Sequence, residues 1–145
     1  MRIILAHRIL VFGLPGAGKT HLATRLHDLL PSTWLNADNV RKQFDDWDFS
    51  DEGRERQATR MRQLADGAEK PFAICDFICP TVKLREIFKA HTSIWIDTIQ
   101  EGRFADTNKL FVKPNNVDKR VSYFYTDDEI NELAHWIKTE RVGEV

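Results

Sequence analysis

Apolar residues in this chain follow two alternating rhythms: short continuous runs, and stretches in which they recur every third or fourth position. The runs predict strands over 7–12 (HRILVF), 33–36 (TWLN), 72–78 (FAICDFI), 93–97 (SIWID) and 120–125, with residues 1–6 as a short extension. The recurrent stretches predict helices between them. One runs to residue 30 with Leu22, Leu26, Leu29 and Leu30 on one face, and Pro31-Ser32 breaks it. A second has its body at 40–46, with Asp38-Asn39 as cap, and a third, polar helix covers 53–68 behind Ser50 as N-cap. Pro80 opens a fourth, to about residue 90. A closing helix, capped by Asp127 or Asp128, reaches about residue 138 and buries Ile130, Leu133, Ala134 and Ile137. Residues 102–116 read as irregular and polar. Strand and helix alternate throughout, which predicts an α/β fold: a five-stranded parallel sheet in the order 2-3-1-4-5 with helices on both faces.

Composition adds bounds to this picture. The 145 residues are 42% apolar and 30% charged, as expected of one globular domain spanning 1–145 with a core of its own. The net charge is −1, without blocks of like charge, so no general polyanion-binding surface is indicated, although a local basic groove is compatible. Cys75 and Cys79 lie four apart without zinc-type partners, which fits a reducing, cytoplasmic setting. His7 and Arg8 interrupt the apolar opening, so it does not read as a signal peptide, and no membrane span is expected.

The chemistry enters at residues 13–20, GLPGAGKT, between the first strand and the first helix. This is the phosphate-loop pattern G-x-x-x-x-G-K-[ST], in which backbone N–H groups and a helix N-terminus cradle an anion. Gly13, Gly16 and Gly18 allow close backbone approach, and Pro15, Ala17 and His21 complete the nucleotide-binding set. Lys19 is expected to bridge β- and γ-phosphates and Thr20 to ligate Mg²⁺, with ATP as the nucleotide. The fold class is therefore that of the P-loop NTPases. Asp76 stands mid-strand, where a carboxylate needs a partner. It is a candidate to accept a water on Mg²⁺, to hold Lys19 or to bind a substrate donor, with a structural ion pair as the plain alternative. No GTPase base-reading segment is completed by Asn108-Lys109, and 72–77 lacks the Asp-Glu ending of an ATPase motor.

Two further segments narrow the class. Asn36-Ala-Asp-Asn-Val-Arg41, then Phe49-Ser-Asp-Glu-Gly-Arg54, resembles the adenylylsulfate (APS) kinase family, whose pattern is G-D-N-V-R, a spacer and F-S-x-x-x-R before a basic helix. Ile78-Cys79-Pro80 is similar to that family's I-S-P, and Asp97-Thr98 also matches. The resemblance covers about residues 8–98. It implies ATP-dependent phosphorylation of the 3′-hydroxyl of adenylyl sulfate. Asp38 would orient that hydroxyl or accept its proton, Arg41 and Arg54 would hold the phosphate–sulfate group, and Phe49 would stack on the base. Phosphoryl transfer to an alcohol independently needs such a carboxylate and such cations.

The departures bear on the acceptor. Gln57 stands where the family has asparagine, and Cys79 replaces a serine. The lid region, about 99–116, is short and lacks the family's F-T-G-I stretch. Within it, Arg103, Lys109 and Lys113 are the candidate cations for the transferring phosphoryl, and Phe104 or Phe111 the replacement aromatic. An open acceptor side also suits a larger substrate, so a hydroxymethylated pyrimidine in DNA is the second acceptor class, weakened by the near-neutral charge. A nucleotide-binding module without transfer is the third reading. The family often forms dimers, which allows a homodimer here; the residues reveal no interface.

Overall fold

A computed structural model describes residues 5–141; the expected extension at 1–6 lies mostly outside them. Five parallel strands form one sheet in the order β2-β3-β1-β4-β5. They are β1 (His7–Phe12), β2 (Ser32–Asn36), β3 (Phe72–Asp76), β4 (Thr92–Ile96) and β5 (Lys119–Val121). The helices are α1 (Lys19–Leu29), α2 (Ala37–Phe44), α3 (Asp51–Asp66), α4 (Val82–Phe88), α5 (Ala105–Leu110) and α6 (Asp127–Trp136), the last running into a π-helical turn, Ile137–Arg141.

Strand alternation divides the core in two. Ile9, Val11, Ile74, Ile94 and Ile96 face α1 and α6, meeting Leu22, Leu26, Ile130 and Leu133. Leu10, Phe12, Ala73, Cys75 and Trp95 face the other way, toward Val40 of α2, Ala58 and Met61 of α3, and Leu84 and Phe88 of α4. Both faces of the central strands are therefore apolar, which is why they read as continuous runs rather than alternations.

Several local features differ from the sequence expectation, among them helix α5 within the stretch 102–116 that reads as irregular. The cap of α2 is Asn36, whose side chain accepts from the Asn39 N–H at 3.1 Å, and not Asp38-Asn39. The strand β3 ends at Asp76: the Phe77 N–H bonds the Val11 carbonyl, and Cys79 takes a left-handed φ of 45°. Helix α4 starts behind Thr81, whose hydroxyl accepts from Leu84 N–H at 3.3 Å, rather than at Pro80. At the other edge β5 stops at Val121, and residues 122–126 cross toward the phosphate loop. Thr126, not Asp127 or Asp128, then caps α6 through a reciprocal capping box with Glu129.

Candidate active site

The phosphate loop joins β1 to α1. A side chain at Gly13 would collide with the Ile96 carbonyl oxygen, and Gly18, at φ 101°, would bring a Cβ within 2.9 Å of the Phe124 ring. The loop is pinned from β4, because the Thr98 hydroxyl donates to the Ala17 carbonyl at 2.6 Å. Asp97, just before it, is occupied by Arg120 at 2.9 and 2.6 Å. Pro15 and Ala17 are buried within the loop; Gly16 and His21 lie on its outer surface.

Lys19 donates to the Leu14 carbonyl at 2.9 Å, a loop oxygen that a phosphate would replace as its partner. Burial pulls its pKa down to about 8; the Asp76 and Asp38 carboxylates oppose that shift, and Arg103 adds to it. Lys19 thus feels all three groups that the sequence nominated around the transfer. The segment carrying Arg103 lies on the loop, since a Cβ at Gly102 would sit 3.0 Å from Pro15. Asn108 shapes that segment by bonding Gly102 from both sides, accepting at 2.7 Å and donating at 3.1 Å.

Asp76 is 2% exposed. Its Oδ1 accepts from the Asn36 amide at 3.0 Å and the Thr20 hydroxyl at 3.3 Å, and its Oδ2 from the Trp34 indole N–H at 2.6 Å. Burial pushes its pKa up, against these three hydrogen bonds and the Lys19 charge. The sequence places Trp34 only within a strand and Asn36 only at the start of the motif. The signal lies in the register: Asn36 pairs with Asp76 across β2 and β3, and Trp34 is two residues back on the same face. The Thr20 hydroxyl and the Asp76 carboxylate are the hard oxygen donors Mg²⁺ takes alongside water and phosphate, so they fit the ion. Among the described residues no group of three His, Cys, Asp or Glu forms a cage for a metal.

On the acceptor side, Asp38 is exposed in the first turn of α2, its carboxylate not spent on the cap. Arg41 is only 5% exposed and donates through Nη1 to the Asp46 and Asp48 carbonyls at 2.9 and 3.2 Å. Its guanidinium lies 4.3 Å from the centre of the Phe49 ring, while that of Arg54 lies 5.5 Å from it. Arg54 uses its Nε on the Phe49 carbonyl at 2.9 Å. Phe49 is thereby held half-exposed between two cations. Gln57 is buried and ties α3 to α2, donating to the Ala37 carbonyl at 3.0 Å and accepting from Arg60 at 3.0 Å. Ile78 is half-buried, whereas the Cys79 thiol is buried and its pKa is pushed up to about 12 by that burial. In the lid, Lys109 is exposed on α5. Phe111 packs on Phe12 with ring centres 6.4 Å apart, and Phe104 is the exposed aromatic. The Arg85 guanidinium sits by both Phe12 and Phe111. It donates to the carbonyls of Cys79, Pro80 and Val112, joining the acceptor loop to the lid's end.

A family model described as an AAA domain matches residues 9–66. Among solved structures the chain is similar to APE1195, at a TM-score of 0.76 and 21% identity over 94% of this chain and 97% of that one. It is similar to the Mycobacterium tuberculosis APS kinase CysC, with a TM-score of 0.71 and 21% identity over 92% and 97% of the two chains. A further structure of that enzyme is a complex with AMPPNP and APS. Shikimate kinase from Aquifex aeolicus follows at 0.63 and 16% identity, over 94% and 99%. No curated protein gives a significant sequence match. The sheet order, the phosphate loop and these likenesses define the P-loop kinase fold. No described helix is long and apolar enough to cross a membrane.

Proposed function

We propose that this chain is an ATP-dependent phosphotransferase that passes the γ-phosphoryl group to an alcohol of a small, nucleotide-like molecule, with adenylyl sulfate as the acceptor its motifs resemble. The observation that carries this reading is the phosphate loop's Thr20, whose hydroxyl donates to the buried Asp76 at 3.3 Å beside Lys19, with Asp38 and Arg103 near enough to act on the Lys19 charge. Lys19 would hold the β- and γ-phosphates, while Thr20 and Asp76 would hold Mg²⁺. Bound there, Mg²⁺ would supply positive charge against the charge developing on the phosphoryl group. Asp38, free of capping duty, orients the acceptor hydroxyl and takes its proton. The acceptor oxygen bonds the γ-phosphorus as the bond to the β-bridging oxygen breaks and ADP leaves. Arg103, on a segment resting against Pro15, faces the phosphoryl group in transit. Arg54 keeps its two Nη groups for an anionic acceptor, whereas Arg41 serves mainly to hold Phe49. The APS kinase seen with AMPPNP and APS lends support through its shared fold.

A polynucleotide acceptor has less support. On α3, Arg56 and Arg60 are paired with Asp46, and Arg62 with Asp66, so few basic side chains there are free for phosphates. The test is transfer of labelled γ-phosphoryl from ATP with Mg²⁺, offered adenylyl sulfate beside single-stranded and duplex DNA containing hydroxymethylated pyrimidines. Label on adenylyl sulfate is the expected result. Label on DNA alone would replace the acceptor, and ATP binding with no transfer to any alcohol would reduce the chain to a nucleotide-binding module.

A further inference from the structure

We infer that Trp34 is a positioning residue for the divalent cation, acting through Asp76 on the Thr20 hydroxyl. The inference rests on the kinase reading above, in which Thr20 and Asp76 serve Mg²⁺. An indole N–H can only donate, and at 2.6 Å from Oδ2 it fixes one oxygen of a carboxylate that is 2% exposed. Asn36 fixes the other at 3.0 Å, from the same strand and the same face. With both oxygens held from β2, the carboxylate plane is set, and Oδ1 is presented to Thr20 at 3.3 Å. A hydroxyl has one proton. When that proton is committed to Asp76, both Thr20 lone pairs remain for a cation between the helix and the phosphates. The order of dependence is therefore Trp34 and Asn36 on Asp76, Asp76 on Thr20, and Thr20 on the ion. Trp34 also packs against the core beneath α1, so packing must be separated from donation.

Trp34→Phe makes that separation, keeping an aromatic ring and removing the donor. AMPPNP affinity would be measured by calorimetry on the full chain across a Mg²⁺ series. The expected result is that the Mg²⁺ midpoint rises roughly 10–100-fold while metal-free AMPPNP affinity stays within about twofold, as for loss of a group that orients a ligating carboxylate. The second readout needs no variant that binds. The ¹⁵N indole resonance of Trp34, assigned by its absence in Trp34→Phe, should move when Mg²⁺ joins AMPPNP on the wild-type protein, and those of Trp95 and Trp136 should not. An unchanged Mg²⁺ midpoint, a loss of metal-free affinity equal to the loss with metal, or a Trp34 resonance indifferent to Mg²⁺ overturns the inference alone. A wild-type protein that binds no AMPPNP at any Mg²⁺ concentration overturns the kinase reading, and the inference with it.

Discussion

The two ends of the sheet treat their charged groups differently. At the amino ends of the strands the groups answer one another. Arg8 is 4% exposed and meets Asp66 at 2.8 Å and the Lys89 carbonyl at 3.1 and 2.6 Å. His7 shares a 2.7 Å hydrogen bond with Thr92 and stacks on His91, whose Nδ1 accepts from the Arg8 backbone N–H at 2.8 Å. Arg141 closes the set against Thr92, the His91 carbonyl and Asp118. At the carboxyl ends, Asp38 and Arg103 lie within electrostatic reach of Lys19, and none of the three is in an ion pair with a described residue. A closed network contributes to stability and leaves nothing for a ligand. Unpaired charges of both signs at one mouth contribute little to the fold and await a substrate that carries the missing partners.

Breaking the carboxyl end should therefore cost activity before stability. The largest effect is expected for Lys19→Ala, which removes the one cation seated inside the loop. Phosphoryl transfer should fall by roughly 10³-fold or more, the scale of a preorganised charge in a dry site, with thermal unfolding little changed. Next comes Asp38→Asn, which keeps shape and removes the proton acceptor. Turnover should fall by about 10²–10⁴-fold while ATP affinity holds. Unaltered turnover in single-turnover assays would take Asp38 out of the mechanism.

The same comparison explains what was legible in the sequence. Strands buried on both faces leave unbroken apolar runs, and a phosphate loop carries its own geometry in its glycines, so the sheet order and the loop's place between β1 and α1 could be read directly. Cooperation between distant residues could not. Trp34 reads as another core aromatic until the β2–β3 register sets it beside Asp76. Gln57 occupies a motif position, yet its amide is spent on the Ala37 carbonyl. Helix α5 escaped notice because six residues that bury only Thr107 leave no apolar period. The caps Asn36 and Thr126 were passed over for Asp38-Asn39 and for Asp127 or Asp128, because several capping residue types crowd each helix start and only geometry selects among them.

Breaking the amino end should cost stability and leave the chemistry of each folded molecule alone. Arg8→Ala leaves Asp66 only its longer contact to Arg62, at 3.7 Å, and removes two bonds from the Lys89 carbonyl. Arg8 is buried but Asp66 is a quarter exposed, so the loss should destabilise by about 1–3 kcal/mol, read as a lower denaturation midpoint. Turnover per folded molecule should stay at the wild-type value. A variant that melts normally but transfers poorly would mean that the two ends are coupled through the sheet.

The smallest effect sharpens the comparison through pH. The pKa of His7 lies near 4, well below its ordinary value of 6.5, because burial disfavours the imidazolium and His91, Arg141 and Arg8 repel it, while Asp118 partly offsets them. The folded chain thus resists a proton that the unfolded chain accepts below about 6.5. The unfolded state binds more protons across that interval, so this contribution to stability is present above pH 6.5, declines as pH falls, and is gone near pH 4. His7→Gln removes the titration and keeps a polar group beside Thr92. Between pH 7 and pH 5 the melting temperature of the wild type should fall more steeply than that of the variant. Acid loss from carboxylates such as Asp46, whose pKa its arginine partners hold down, is common to both proteins and cancels in the difference. Parallel melting curves would mean that the amino end tolerates the charge, and that its closed network is looser than its hydrogen bonds imply.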